Sequence, residues 1–210
     1  MRILGLDLSL RSTGYVLLDE DQVVWHGSIG GDKLRDVERL QMFDEWIRQR
    51  ALKSAPRTFQ GVMTSELSPG IPDAIAVEGY SFGSHNTNLP AIGELGGVIK
   101  LAIHQAAIPL HVIPPSTWKK LLLGKGNLAK DLVRVECWKR YAVEFASQDT
   151  LDAWAVAMTL RRQLLGLDKP EPKSRKRVPA TVPAQETHDQ ESPAKTNRSP
   201  LSASPQALAR

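Results

Sequence analysis

Residues 1–20 read MRILGLDLSLRSTGYVLLDE and set one carboxylate, Asp7, inside a run that is otherwise apolar. The run Arg2 to Leu8 has the composition of a buried strand, and YVLLDE (15–20) and QVVWHGSI (22–29) read as two more. A polar turn through Arg11, Ser12, Thr13 and Gly14 separates the first two, and a short turn at Asp21 separates the second from the third. Such spacing predicts an antiparallel meander. Side chains alternate across a strand, so Gly5 and Asp7 share one face while Leu4, Leu6 and Leu8 share the other. A carboxylate buried there costs several kcal/mol unless it is paired or holds a metal ion.

Beyond the meander the period changes. Leu34, Val37, Leu40, Phe43 and Ile47 recur at helical spacing between Asp32 and about Lys53, which predicts an amphipathic helix. A loop rich in Pro and Gly leads to AIAVEG (74–79), a short buried strand carrying Glu78 on the face of Ala76. The polar loop YSFGSHNTN follows, then a Gly- and Ala-rich helix from Leu89 to about Ala107, whose Gly93, Gly96 and Gly97 permit close helix packing or partner contact. LHVIP reads as a strand, STWKKLLL as a short helix, LAKDLVRVECWKRY as a basic helix, and a last helix runs from near Asp149 to about Leu165. A meander followed by α-linked strands is a mixed α/β layout that resembles the ribonuclease H-like fold, with the sheet flanked by helices.

The last helix opens with SQDTLDAWAVA, where Asp149 and Asp152 stand three residues apart. Read locally, this pair is close to a capping box, a common way to start a helix. Read with Asp7 and Glu78, it brings two further carboxylates toward one ion if the helix lies beside the sheet. Four carboxylates with no His or Cys at ligand spacing suit a hard cation, Mg²⁺ or Mn²⁺ rather than zinc. Two such ions roughly 4 Å apart support in-line phosphoryl displacement without a nucleophilic side chain.

With 210 residues, 41% of them hydrophobic, the chain suits one sizeable domain and a tail. The sole cysteine, Cys137, excludes an internal disulfide and fits a reducing compartment, so the expected location is the cytoplasm. No run of 18 apolar residues and no leader pattern occurs, which argues against membrane spanning and secretion. From residue 168 onward eight Lys or Arg face five Asp or Glu, leaving 19 against 18 in residues 1–167. Residues 168–210 also hold seven of the 14 prolines and few large apolar groups, so the expected division is a folded domain over 1–167 and a disordered Pro-rich basic tail over 168–210. Within the domain, residues 119–140 carry Lys119, Lys120, Lys125, Lys130, Arg134, Lys139 and Arg140 against Asp131 and Glu136. On composition alone that is a solvated helix face.

Four motifs in order, GLDLSLRSTGY, AVEGY, GKGNLAKDLV and DTLDAWAVA, resemble the RuvC family of Holliday junction resolvases over about residues 1 to 165. Leu8 and Ser9 follow the first aspartate where the cellular enzymes typically have Pro-Gly, a pattern that looks more like phage and prophage members. The resemblance implies a homodimeric, Mg²⁺-dependent endonuclease with two ions, Mn²⁺ being able to substitute. It would cut four-way junctions and other branched DNA by paired nicks that leave 5′-phosphate and 3′-hydroxyl ends. By matching position it implies that Asp7, Glu78, Asp149 and Asp152 are the catalytic metal ligands and that Lys130 contacts DNA near the scissile phosphate. Lys119, Lys120, Lys125 and Arg134 then belong to a phosphate track. Tyr80 and Phe82 flank the position, Ser81, where the family places an aromatic for stacking at the junction centre. Two rival expectations are a phosphotransferase of the sugar kinase and actin superfamily, whose first strand has a similar pattern, and a junction-binding protein without catalysis.

Overall fold

In the computed structural model the described residues are 1–31, 33–52, 70–80 and 89–167. The three opening strands are β1 (Arg2–Asp7), β2 (Ser12–Asp19) and β3 (Gln22–Gly30). They are followed by α1 (Asp36–Trp46), which runs on into a single π turn at Ile47–Ala51, then β4 (Ala74–Glu78), α2 (Leu89–Gln105) and β5 (Leu110–Ile113). Three helices close the fold: α3 (Pro115–Leu123), α4 (Lys130–Tyr141) and α5 (Gln148–Leu164). The sheet order is β3-β2-β1-β4-β5. β1, β2 and β3 pair antiparallel, whereas β4 joins β1, and β5 joins β4, in parallel. The expected mixed sheet is therefore present, with the meander at one edge.

Alternation along the two central strands builds two cores. Ile3, Ala74 and Ala76 face α3, α4 and α5 and pack with Trp118, Trp154 and Val156. Leu4, Leu6, Leu8, Ile75 and Val77 face α1 and α2 and pack with Phe43, Trp46, Leu95 and Ile99. The predicted faces of β1 and β4 are those observed. The helical stripe of α1 is shorter than expected: the helix starts at Asp36, and Val37 is 72% exposed, so the stripe reaches the sheet only from Leu40 onward.

The strand β2 starts three residues earlier than expected, because Gly14 pairs with Asp7 as the last rung of the β1–β2 ladder. Thr13 is fully buried there; its Oγ1 donates to the Ser9 carbonyl at 2.9 Å and accepts from the Ser9 N–H at 3.2 Å. That local bonding closes the turn after Asp7, a common use of a threonine hydroxyl.

Two glycines let α5 lie directly on the sheet. A Cβ on Gly5 would sit 2.0 Å from the Ala153 carbonyl oxygen, and one on Gly14 would sit 2.1 Å from that of Asp149. Neither position has room for any side chain. Opposite them, the α5 surface is built of small residues, Ala153 and Ala157. The helix is pinned at its start by Thr150, whose Oγ1 donates to the Gly27 carbonyl of β3 at 3.1 Å.

Candidate metal centre and its basic wall

Asp7 is the last residue of β1 and Glu78 the last of β4, and the parallel register that pairs Gly5 with Ala76 and Leu6 with Val77 carries them to neighbouring ends. α5 then supplies Asp152 from above, because the Gly14 contact with Asp149 and the Gly5 contacts with Ala153 and Ala157 seat its N-terminal half over β2 and β1. One carboxylate oxygen from each of Asp7, Glu78 and Asp152 lies within 4.8 Å of the others, and all three residues are half-buried. Asp149 lies outside that group but lines the same cleft, of about 1010 Å³.

The capping reading of Asp149 and Asp152 does not hold. Ser147 caps α5: its backbone is extended, and its Oγ accepts the Thr150 N–H at 3.1 Å. Serine is among the preferred residues for that task. Both aspartates are thereby left free of the cap, and Asp152 stands more than a turn into the helix, where Gln148 Nε2 donates to its Oδ1 at 2.8 Å.

Crowded anions in a partly desolvated place hold protons. Burial, and then the charge of Glu78, raise the Asp7 carboxyl well above the usual aspartate range, with Asp152 and Asp149 adding to the effect. The Asp152 carboxyl is pushed up to about 7, chiefly by burial and then by Glu78, against the opposing pull of Gln148, Lys119 and Lys130. A cation held by such a cluster would take the place of those protons. The cluster's donor set among the described residues fits a hard divalent ion: carboxylate oxygens close enough to share one ion, with no His or Cys in the group.

The consequence for stability has a definite sign. The folded chain binds more protons than the unfolded chain between the ordinary aspartate value of 3.8 and about 7, so stability falls as pH rises through that window. The melting temperature of the metal-free protein is expected to drop between pH 5 and 8, and added Mg²⁺ to restore more of it at pH 8 than at pH 5, since metal displaces protons. Thermal scans across that range check both. A flat profile with no Mg²⁺ effect would mean that the cluster is not repulsive.

The cleft's other wall is basic. Lys119 from α3 and Lys130 and Arg134 from α4 line it together with Asp7, Glu78, Asp149 and Asp152, and Asp131 of α4 is the one acidic residue among the described residues on that wall. Arg134 also has a structural bond, donating from Nη2 to the Phe145 carbonyl at 2.9 Å, which ties α4 to the segment before α5. Lys120 and Lys125 are exposed on α3 and in the turn after it, outside the cleft lining. Tyr80 turns away from the carboxylates and onto α2. Its hydroxyl donates to the Ile92 carbonyl at 3.2 Å, Lys100 Nζ lies 5.4 Å from its ring centre, and Gly96 makes room for it. Phe82 lies outside the described residues, as do Ser81 and residues 168–210.

Two residues that touch the carboxylates were not among the expected site residues. Gln148 had no signal beyond standing next to Asp149. Trp118 is fully buried, and its Nε1–H donates to Glu78 Oε1 at 2.8 Å.

The family model described as Crossover junction endodeoxyribonuclease RuvC matches residues 3–160, from β1 through most of α5. The chain belongs to the RuvC family. It is 27% identical to the RuvC protein of Paracoccus denitrificans (strain Pd 1222) over 172 residues, 79% of this chain and 94% of that one. Against the RuvC protein of Synechococcus sp. (strain WH7803) it is 29% identical over 168 residues, 76% of this chain and 97% of that one. Its fold is similar to a Thermus thermophilus RuvC structure, with a TM-score of 0.59 at 19% identity, over 81% of this chain and all of the other. A second Thermus thermophilus RuvC structure, in complex with a Holliday junction substrate, has the same TM-score of 0.59 and covers 81% of this chain and 99% of the other. The ribonuclease H-like expectation for the fold therefore holds, and RuvC membership sets the phosphotransferase reading aside.

Proposed function

We propose that this RuvC-family chain is a Mg²⁺-dependent endonuclease that resolves four-way DNA junctions, and cuts other branched DNA, by paired nicks leaving 5′-phosphate and 3′-hydroxyl ends. The observation that carries the reading is the meeting of Asp7, Glu78 and Asp152 in one cleft whose facing wall holds Lys119, Lys130 and Arg134. Acidic floor and basic wall suit a phosphodiester backbone held beside cations.

Asp7, Glu78 and Asp152 would hold one ion, and Asp149, lining the same cleft, a second together with them. When bound, Mg²⁺ or Mn²⁺ supplies the charge that activates water and relieves the leaving oxygen. The protein's own groups do the rest. Lys119, Lys130 and Arg134 receive phosphate oxygens and set the strand's position, and Lys120 and Lys125 extend the track beyond the cleft. Gln148 holds the Asp152 carboxylate toward the cluster. Tyr80, whose hydroxyl is held by α2, and Phe82 are the two aromatics proposed for stacking at the junction.

Paired nicks call for two copies, and the outward side of α2 supports a homodimer. Gly93, Gly97 and Leu101 recur at i, i+4 and i+8; among the described residues nothing lies within 4 Å of a Cβ on either glycine, and Leu101 is 54% exposed. No contact among the described residues explains glycine at those places. In keeping with a cytoplasmic DNA enzyme, no helix of the described residues is long and apolar enough to cross a membrane.

One experiment tests the reading. Four-way junction, flap, fork and linear duplex are incubated side by side with and without Mg²⁺. The expected result is Mg²⁺-dependent paired cutting of the junction, falling to single unpaired nicks in Leu101→Glu. Junction binding without cutting under any divalent ion would instead support the non-catalytic reading.

A further inference from the structure

β5 ends at Ile113, paired with Glu78, and the chain passes through Pro114 into α3 with Pro115 at its first turn. Proline suits that place, since its fixed φ and missing N–H match the start of a helix. The helix therefore begins beside the end of β4, and Trp118, one turn in, lies back over it. The indole is fully buried in the core under α5, with Leu122, Val133 and Trp154 around it, and its one polar atom meets Glu78 Oε1 at 2.8 Å.

We propose that Trp118 is a positioning residue for Glu78, holding that carboxylate at the angle at which it shares a divalent ion with Asp7 and Asp152. The inference rests on the reading of the acidic cluster as a metal centre. Glu78 has three rotatable side-chain bonds and shares the cluster with two other carboxyl groups, Asp7 and Asp152, within 4.8 Å. A carboxylate offers about four acceptor sites, of which the indole takes one on Oε1 and leaves the rest. The indole is the right kind of donor for the task. It is neutral, so it anchors the carboxylate without cancelling the charge that attracts the ion, as a lysine in its place would. It is also rigid and embedded, so the donor stays in place when the cleft is empty. The same ring lies 5.4 Å from Lys119 Nζ, and so bears on both walls of the cleft.

Outer-shell partners of metal ligands cost roughly 10- to 100-fold in metal affinity when removed. Calorimetric titration of the full chain with Mn²⁺ is expected to show about tenfold weaker binding in Trp118→Phe, which keeps the ring and removes the N–H. In a Glu78→Gln background the same substitution is expected to change Mn²⁺ affinity less than about twofold, because the group it acts through is already altered. Unchanged Mn²⁺ affinity in Trp118→Phe, or the same loss in both backgrounds, would overturn the inference while leaving the metal centre standing. A wild-type chain that binds neither Mn²⁺ nor Mg²⁺ would overturn the metal centre and the inference together. Should Trp118→Phe fail to fold, the wild-type indole N–H resonance of Trp118 serves instead: it is expected to move on Mg²⁺ titration and on Glu78→Gln. A resonance indifferent to both would overturn the inference.

Discussion

Asp7→Asn is expected to lower the rate of junction cleavage by at least about 10³-fold, since a metal ion supplies several kcal/mol of transition-state stabilisation and about 4 kcal/mol is three decades in rate. Junction binding is expected to persist, because Lys119, Lys130 and Arg134 on the basic wall are untouched. The fold should persist as well: asparagine has nearly the volume of aspartate, and its neutrality removes the burial cost of a charge and the repulsion from Glu78, which together raise the carboxyl well above its usual range. The metal-free variant is accordingly expected to melt at a higher temperature than the parent at pH 8. Gel assays of cleavage and binding, with a thermal scan, check all three. Cleavage retained at the parent rate would end the assignment of Asp7 as a ligand.

The second large effect is on stability. Gly5→Ala adds one methyl group at a site where it would lie 2.0 Å from a main-chain oxygen of α5 and 2.8 Å from the Ala157 methyl. A flexible side chain can move aside, but a helix backbone in the middle of a core can do so only as a unit. The expected cost is about 3 kcal/mol, at the upper end for overpacking, or roughly 6 to 12 °C in melting temperature for a domain of this size. Activity should fall further than stability does. Lifting α5 by even an ångström carries Asp152 away from Asp7 and Glu78, and sub-ångström placement governs such centres. Urea unfolding and residual activity at a temperature where the variant remains folded separate the two effects. A variant as stable as the parent would mean that α5 is not held at this distance.

How much of this was legible depends on the range of each interaction. Strand alternation is local, so the face shared by Gly5 and Asp7, and by Ala76 and Glu78, could be read from spacing alone. The order of strands and helices was readable for the same reason. The cap of α5 is also local, yet it was misplaced, because Ser147, Asp149 and Asp152 all satisfy the preferences and only backbone geometry distinguishes them. What was not legible is rotational. Tyr80 and Trp118 both stand near the end of β4, and nothing in their spacing tells that one ring turns to α2 while the other reaches Glu78. Those outcomes depend on the free space beside Gly96 and on where α3 starts after Pro114, which are set by packing across the domain. The RuvC resemblance, by contrast, survived at 27–29% identity because ordered motifs tolerate drift between them.

The three converging carboxylates come from β1, β4 and α5, and stand 71 and 74 residues apart along the chain. No hairpin or other early-forming piece contains more than one of them. A growing polypeptide therefore has no assembled acidic cluster until α5 has been synthesised and has docked across both earlier strands. On the proposed reading of this cluster as the metal centre, α5, the last helix of the described residues, completes it, and copies that lack or misplace α5 would not cut DNA.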